Sequence, residues 1–96
     1  MYGTIAKLRI KPGMEAELER RSREEVPQIE GFQFQHVFRM DGDPQDLYLV
    51  VGFESEEAYR RNAESTEQHA RYEGYRALLE RDPEWHDGEV DFSLSA

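Results

Sequence analysis

Residues 47–53 read LYLVVGF, a nearly continuous apolar run. At the strand period of two, Leu47, Leu49, Val51 and Phe53 fall on one face, and Tyr48 and Val50 fall on the other. Both faces of this strand are therefore greasy, and a strand of that kind is stable only where something covers each side. What the rest of the chain supplies as cover decides the architecture.

Immediately upstream, Asp41-Gly42-Asp43-Pro44 is a dense turn cluster. Before it, from Gly31, the residues Phe32, Phe34, His36, Phe38 and Met40 share one face at period two. Two strands joined by such a turn form an antiparallel hairpin. The aromatic face of the earlier strand is expected to look toward the helices. Further upstream, Tyr2 to Ile10 alternates weakly and predicts a first strand, punctuated by Lys11-Pro12-Gly13. Met14 to about Glu25 predicts a helix with a thin apolar stripe, broken near Pro27, where the proline ring removes an N–H donor. Its run of Glu15, Glu17, Glu19, Arg20 and Arg21 reads as a solvated face laced by i,i+4 pairs.

Downstream, Ser55 is a good N-cap, with Glu56 and Glu57 in the first turn, where the helix dipole favours anions. A break follows near Ser65. Ser65 and Gln68 then form a capping-box pattern that opens a third helix to about Arg81, ended by Asp82-Pro83. Val90, Phe92 and Leu94 alternate with Asp91 and Ser93 and predict the last strand, which leaves Trp85 and His86 on a loop or rim. The order β-α-β-β-α-α-β with right-handed crossovers gives an α+β, ferredoxin-like βαββαβ layout: one antiparallel sheet with helices on one face.

That layout leaves the second face of LYLVVGF without cover, and no residues remain to supply it. A second copy of the chain is the cheapest source, so a homodimer packed sheet to sheet is expected. A monomer with a half-wet sheet is the alternative, since Lys7, Arg9, Gln33, Gln35 and Arg39 dilute that face.

The composition narrows the function. Ninety-six residues predict one domain, residues 1–96. Twenty-one acidic residues against 12 basic give a net charge of −9, which disfavours nucleic acid, because binding it needs a basic stripe. There is no apolar run long enough to span a bilayer and no signal-peptide pattern at the N-terminus. The absence of cysteine removes disulfides, thiolate nucleophiles and Cys–zinc sites together. A cytoplasmic protein is expected. His36, His69 and His86 have no close-spaced histidine partner, and Glu73, four residues after His69, does not complete a set of metal ligands. Neither a glycine-rich phosphate loop nor a nucleophile elbow is present.

The stretch STEQHARYEGY, residues 65–75, sets His69, Tyr72 and Tyr75 three apart on one helix, where they form either a reactive face or packing against the sheet. Tyr59 and Asn62 share a face of the preceding helix in the same way.

The first strand ending in KPG and followed by a Glu-rich helix, PQIEGFQFQHVFR (27–39), DGDP (41–44), LYLVVGFESEEAYRRN (47–62) and STEQHARY (65–72) together resemble the antibiotic-biosynthesis monooxygenase-like domains, over about residues 1–95. The resemblance implies a dimeric α+β barrel built from two ferredoxin-like sheets, with a pocket between helices and sheet. It also implies oxidation of aromatic molecules by dioxygen with no metal or organic cofactor. Such chemistry needs a dry pocket, a base to deprotonate the substrate, and donors to hold its oxygens. His69 and His36 are the candidate bases, since a neutral imidazole titrates near working pH. Tyr59, Asn62 and Tyr72 are candidate donors to the substrate, and Phe34 and Phe38 candidate apolar contacts. A heme-degrading branch of the family uses an asparagine, a tryptophan and a histidine at positions that correspond here to Ala6, Tyr59 and His69. Only the histidine is retained, so heme binding through His69 is the lesser alternative. A non-catalytic dimer with a filled pocket is the other.

Overall fold

The computed structural model describes residues 1–96. The elements are β1 (Tyr2–Arg9), α1 (Glu15–Glu25), a 3₁₀ turn (Val26–Gln28), β2 (Phe32–Arg39), β3 (Asp46–Phe53), α2 (Glu56–Ala63), α3 (Thr66–Arg76) and β4 (Glu84–Glu89). The strands form one antiparallel sheet in the order β2-β3-β1-β4. No helix is long and apolar enough to cross a membrane.

Local chemistry explains the helix starts. Ser55 Oγ accepts the Ala58 N–H at 3.1 Å, and Ser65 Oγ accepts the Gln68 N–H at 3.1 Å, so α2 and α3 each have one orphan donor satisfied by a side chain. The core lies between sheet and helices and is formed by Ala6, Leu8, Ile10, Leu18, Leu47, Leu78 and Leu79. At one end of the sheet, Arg9 clasps Asp43, Asp46 and Glu80 at 2.9, 2.9 and 3.0 Å, which ties β1 to the β2–β3 turn and to the segment after α3.

The structure corrects the sequence reading in four places. The sheet is not closed into a barrel. Closure requires each strand to be paired on both sides, whereas β2 pairs only with β3 and β4 only with β1. The architecture is thus an open ferredoxin-like sheet with helices, and the expected dimeric α+β barrel is set aside.

The last strand is Glu84–Glu89, not Val90–Leu94. Tyr2, where β1 begins, lies opposite Glu89, and after one more bond, Val90 N–H to Met1 O at 2.9 Å, the residues that follow run past the end of their only neighbour. Phe92 and Leu94 are 76% and 89% exposed. Trp85 and His86 consequently sit in a strand rather than on a loop.

The third helix stops at Arg76, short of Arg81. The chain then turns so that Leu79 bridges Ile10, with Lys11 N–H bonded to Leu78 O and Glu80 N–H to Arg9 O, both at 2.9 Å.

The fourth correction concerns β2. Phe32 lies opposite Phe53, but Phe34 lies opposite Gly52, so Gln33 is an extra residue, a β-bulge. A one-residue slip moves every later side chain to the other face. Gln35 and Val37 therefore join Val51 and Leu49 beneath the helices, while Phe34, His36 and Phe38 join Gly52, Val50 and Tyr48 on the open face. The expectation that Phe34, His36 and Phe38 look toward the helices is reversed.

Candidate functional site

Because β2 turns Phe34, His36 and Phe38 away, the space between sheet and helices is not packed solid. A cavity of about 480 Å³ lies there. Thr4, Leu49, Val51, Phe53 and Trp85 form its sheet wall; Tyr59 and Asn62 of α2 and His69, Arg71, Tyr72 and Tyr75 of α3 form its helical wall. Four of the residues singled out from the sequence, Tyr59, Asn62, His69 and Tyr72, meet here. His36, Phe34 and Phe38 do not; they lie on the sheet's open face, where His36 rests against the Phe34 ring with centroids 5.5 Å apart.

Of the polar groups that face this mostly apolar space, three sets stand out. The first is at the sheet: the Tyr59 hydroxyl donates to Asp87 Oδ1 at 2.8 Å, and nearby on β1 lies the Thr4 hydroxyl, 5% exposed. The second bridges α2 and α3. Arg71 Nε donates to Gln68 Oε1 at 3.1 Å and Arg71 Nη2 to Asn62 Oδ1 at 2.9 Å, while Asn62 Nδ2 donates to the same Gln68 oxygen at 3.2 Å. The third is His69, one turn into α3 and exposed at the cavity mouth. The Tyr72 and Trp85 rings face each other at 6.4 Å, one on each wall. No three His, Cys, Asp or Glu side chains converge as metal ligands.

Sequence reasoning missed Thr4, Arg71, Trp85 and Asp87. Trp85 and Asp87 share a face with Ala6 and Thr4 only because β4 begins at Glu84, and nothing in Glu84–Glu89 advertises a strand. Nothing in its helical spacing separates Arg71 from the chain's other helical arginines.

Burial pushes the Tyr59 hydroxyl up to about 12, and the Asp87 carboxylate adds to the shift. Burial also raises Tyr75 to about 12, aided by the Glu25 carboxylate. Both remain neutral donors at working pH rather than bases. The unfolded chain ionises tyrosine near 10. A folded pKa above the unfolded one means stability is intact below pH ~10 and is lost as pH rises toward ~12, because the unfolded state then holds fewer protons than the folded. After discounting for solvent screening at half-exposed groups, the loss is on the order of 1 kcal/mol per tyrosine. Ultraviolet titration checks this: at about pH 11 Tyr59 and Tyr75 should still absorb as phenols. Complete ionisation of all five tyrosines by that pH would contradict it.

The antibiotic biosynthesis monooxygenase family profile matches residues 1–81. No curated protein matches the chain. Among solved structures, a single-residue variant of SnoaB, a cofactor-independent oxygenase from Streptomyces nogalater, superposes with a TM-score of 0.79 at 13% identity, covering 99% of this chain and 97% of that one. A conserved protein from Methanosarcina mazei Go1 gives 0.75 at 18% identity, with 91% and 89% covered. A protein of unknown function from Nitrosomonas europaea gives 0.72 at 17% identity, with 99% and 93% covered. At these identities the structures speak for the fold, and the profile speaks for the family: this chain belongs to the antibiotic biosynthesis monooxygenase family.

Proposed function

We propose that the protein binds a small, hydrophobic, aromatic molecule in the cavity between helices and sheet, and oxidises it with dioxygen without a cofactor. The observation that carries this reading is the cavity. Its volume of about 480 Å³ lies within the ~300–1,000 Å³ common for small-molecule sites, and its apolar walls hold a few convergent polar groups. A space packed solid would instead have favoured a structural role.

For an anthrone-like substrate the step balances as follows. A methylene C–H gives its proton to a base, and the resulting anion reduces dioxygen. A C–O bond forms and the O–O bond breaks; one oxygen becomes the new carbonyl, and the other leaves as water with the two methylene hydrogens. His69 is the base in this reading, since it is the only histidine on the cavity wall. Tyr59 and Tyr72 orient the ring and its oxygens, and the apolar walls exclude water.

The test is oxygen uptake with 1,8-dihydroxyanthrone, corrected for uncatalysed oxidation. Wild-type protein should consume one dioxygen per anthrone, and His69→Ala should slow it by roughly 100-fold, the usual contribution of a general base. Uptake no faster than background would remove the oxygenase reading. Saturable quenching of Trp85, the only tryptophan, without uptake would leave a binding protein. A rate unchanged in His69→Ala would remove this histidine from the chemistry.

We further propose that two copies associate through the open sheet face. Ile5 and Phe38, 49% and 54% exposed, share that face with Phe34, Tyr48 and Val50, an apolar patch of the kind that marks contact surfaces.

A further inference from the structure

Five helical glutamates stand four residues before an arginine: Glu17–Arg21, Glu19–Arg23, Glu56–Arg60, Glu57–Arg61 and Glu67–Arg71. The order and spacing are those that favour an ion pair on a helix surface. Four of the five form it, at 3.0, 2.9, 2.7 and 3.2 Å. Glu67–Arg71 does not. Arg71 turns instead to the side-chain amide oxygens of Gln68 and Asn62, at the cavity wall.

The departure is specific. The other half-buried arginines, Arg9, Arg21 and Arg76, each touch a carboxylate. Arg71, also half-buried, touches none, in a chain where acidic residues outnumber basic ones 21 to 12. Two of the five N–H donors of a guanidinium are used on neutral amides, and the remaining three have no acceptor in the protein. Asn62 and Gln68 also bond to each other, so the two oxygens that hold Arg71 are themselves held. An oriented guanidinium with free donors beside an apolar space is built to receive an anion, most effectively a carboxylate that takes two N–H bonds at once.

We infer that the ligand of this cavity is an aromatic acid whose carboxylate pairs with Arg71. The inference rests on the cavity being the ligand site and adds the substrate's charge to that reading. The net charge of −9 repels anions at long range, so attraction has to be local, and Arg71 provides it.

Isothermal titration of the full chain with 2-naphthoate and with methyl 2-naphthoate tests this, since the pair differs in the anion and keeps the ring. The wild-type protein should bind the acid roughly tenfold or more tighter than the ester, as expected for a charge-assisted pair. Arg71→Gln, which retains an amide for Asn62 and Gln68, should abolish the preference and bring the acid's affinity to the ester's level in the same variant. Arg71→Lys should keep part of the preference, having the charge without the fork. Equal binding of acid and ester by the wild type overturns the inference while leaving the cavity as a site for neutral aromatics; so does a preference that survives in Arg71→Gln. Binding of neither probe removes the cavity reading and the inference with it. Should Arg71→Gln fail to fold, the wild-type comparison of acid with ester decides alone.

Discussion

Gly3→Ala is expected to destabilise the protein by roughly 3 kcal/mol. Gly3 is buried in β1 opposite Gly52 of β3 on one side and Gly88 of β4 on the other. A Cβ there would run into the backbone carbonyl of Val51. A backbone group in a ladder cannot rotate aside as a side chain can. Either β1 and β3 separate locally and a buried carbonyl loses its partner, or the clash persists; each alternative costs about 1–3 kcal/mol, and relief of one brings on the other. Against a total of about 5–15 kcal/mol this is a large fraction. The neighbouring glycines serve as controls. A Cβ on Gly52 meets the Phe34 side chain rather than backbone, so Gly52→Ala should cost less. At Gly88 nothing lies within 4 Å, and Gly88→Ala should be close to neutral. Urea denaturation should rank the three in that order; equal midpoints for Gly3→Ala and Gly88→Ala would refute the close approach of β1 to β3.

The same glycine row shows why part of the fold is legible in the sequence and part is not. Periodicity and capping are local, so β1, α1, β3 and the starts of α2 and α3 can be read directly from Leu8, Leu18, LYLVVGF, Ser55 and Ser65. The bulge at Gln33 is not local. Phe32, Phe34, His36 and Phe38 alternate without a flaw, and only pairing with β3 reveals the slip. The one signal available was Gly52 inside an otherwise apolar strand, since a glycine there marks a bulge or a close approach; the Phe34 ring lies over it. The last strand was misplaced for a related reason. Val90, Phe92 and Leu94 have the better intrinsic pattern, but a strand needs a neighbour, and β1 reaches only as far as Glu89. Of the site, helical spacing brought out Tyr59, Asn62, His69 and Tyr72. Asp87 depended on the position of β4, and Arg71 was hidden among four look-alike pairs that do form.

Moving Phe34 and Phe38 out of the cavity loads them onto the open face, and the second large effect is expected there. Four strands about 4.8 Å apart and up to eight residues long make a face of roughly 19 by 26 Å, on the order of 500 Å² in projection. Side-chain relief brings this near the ~800 Å² per partner of a standard interface. Ile5, on the central strand β1, is exposed in the isolated chain, so Ile5→Glu should change the folding of that chain by no more than about 0.5 kcal/mol. In a sheet-to-sheet pair, the same carboxylate would be buried against apolar side chains without a partner, at a cost of several kcal/mol, and two-fold symmetry would apply the cost twice. Sedimentation at micromolar concentration should therefore report a particle of twice 11.3 kDa for the wild type and 11.3 kDa for Ile5→Glu, with unchanged far-ultraviolet circular dichroism. A wild-type particle of 11.3 kDa would mean that the second face of LYLVVGF stays wet. A dimer that persists in Ile5→Glu would move the contact off this face, and the bulge at Gln33 would then have to be explained by the cavity it opens alone.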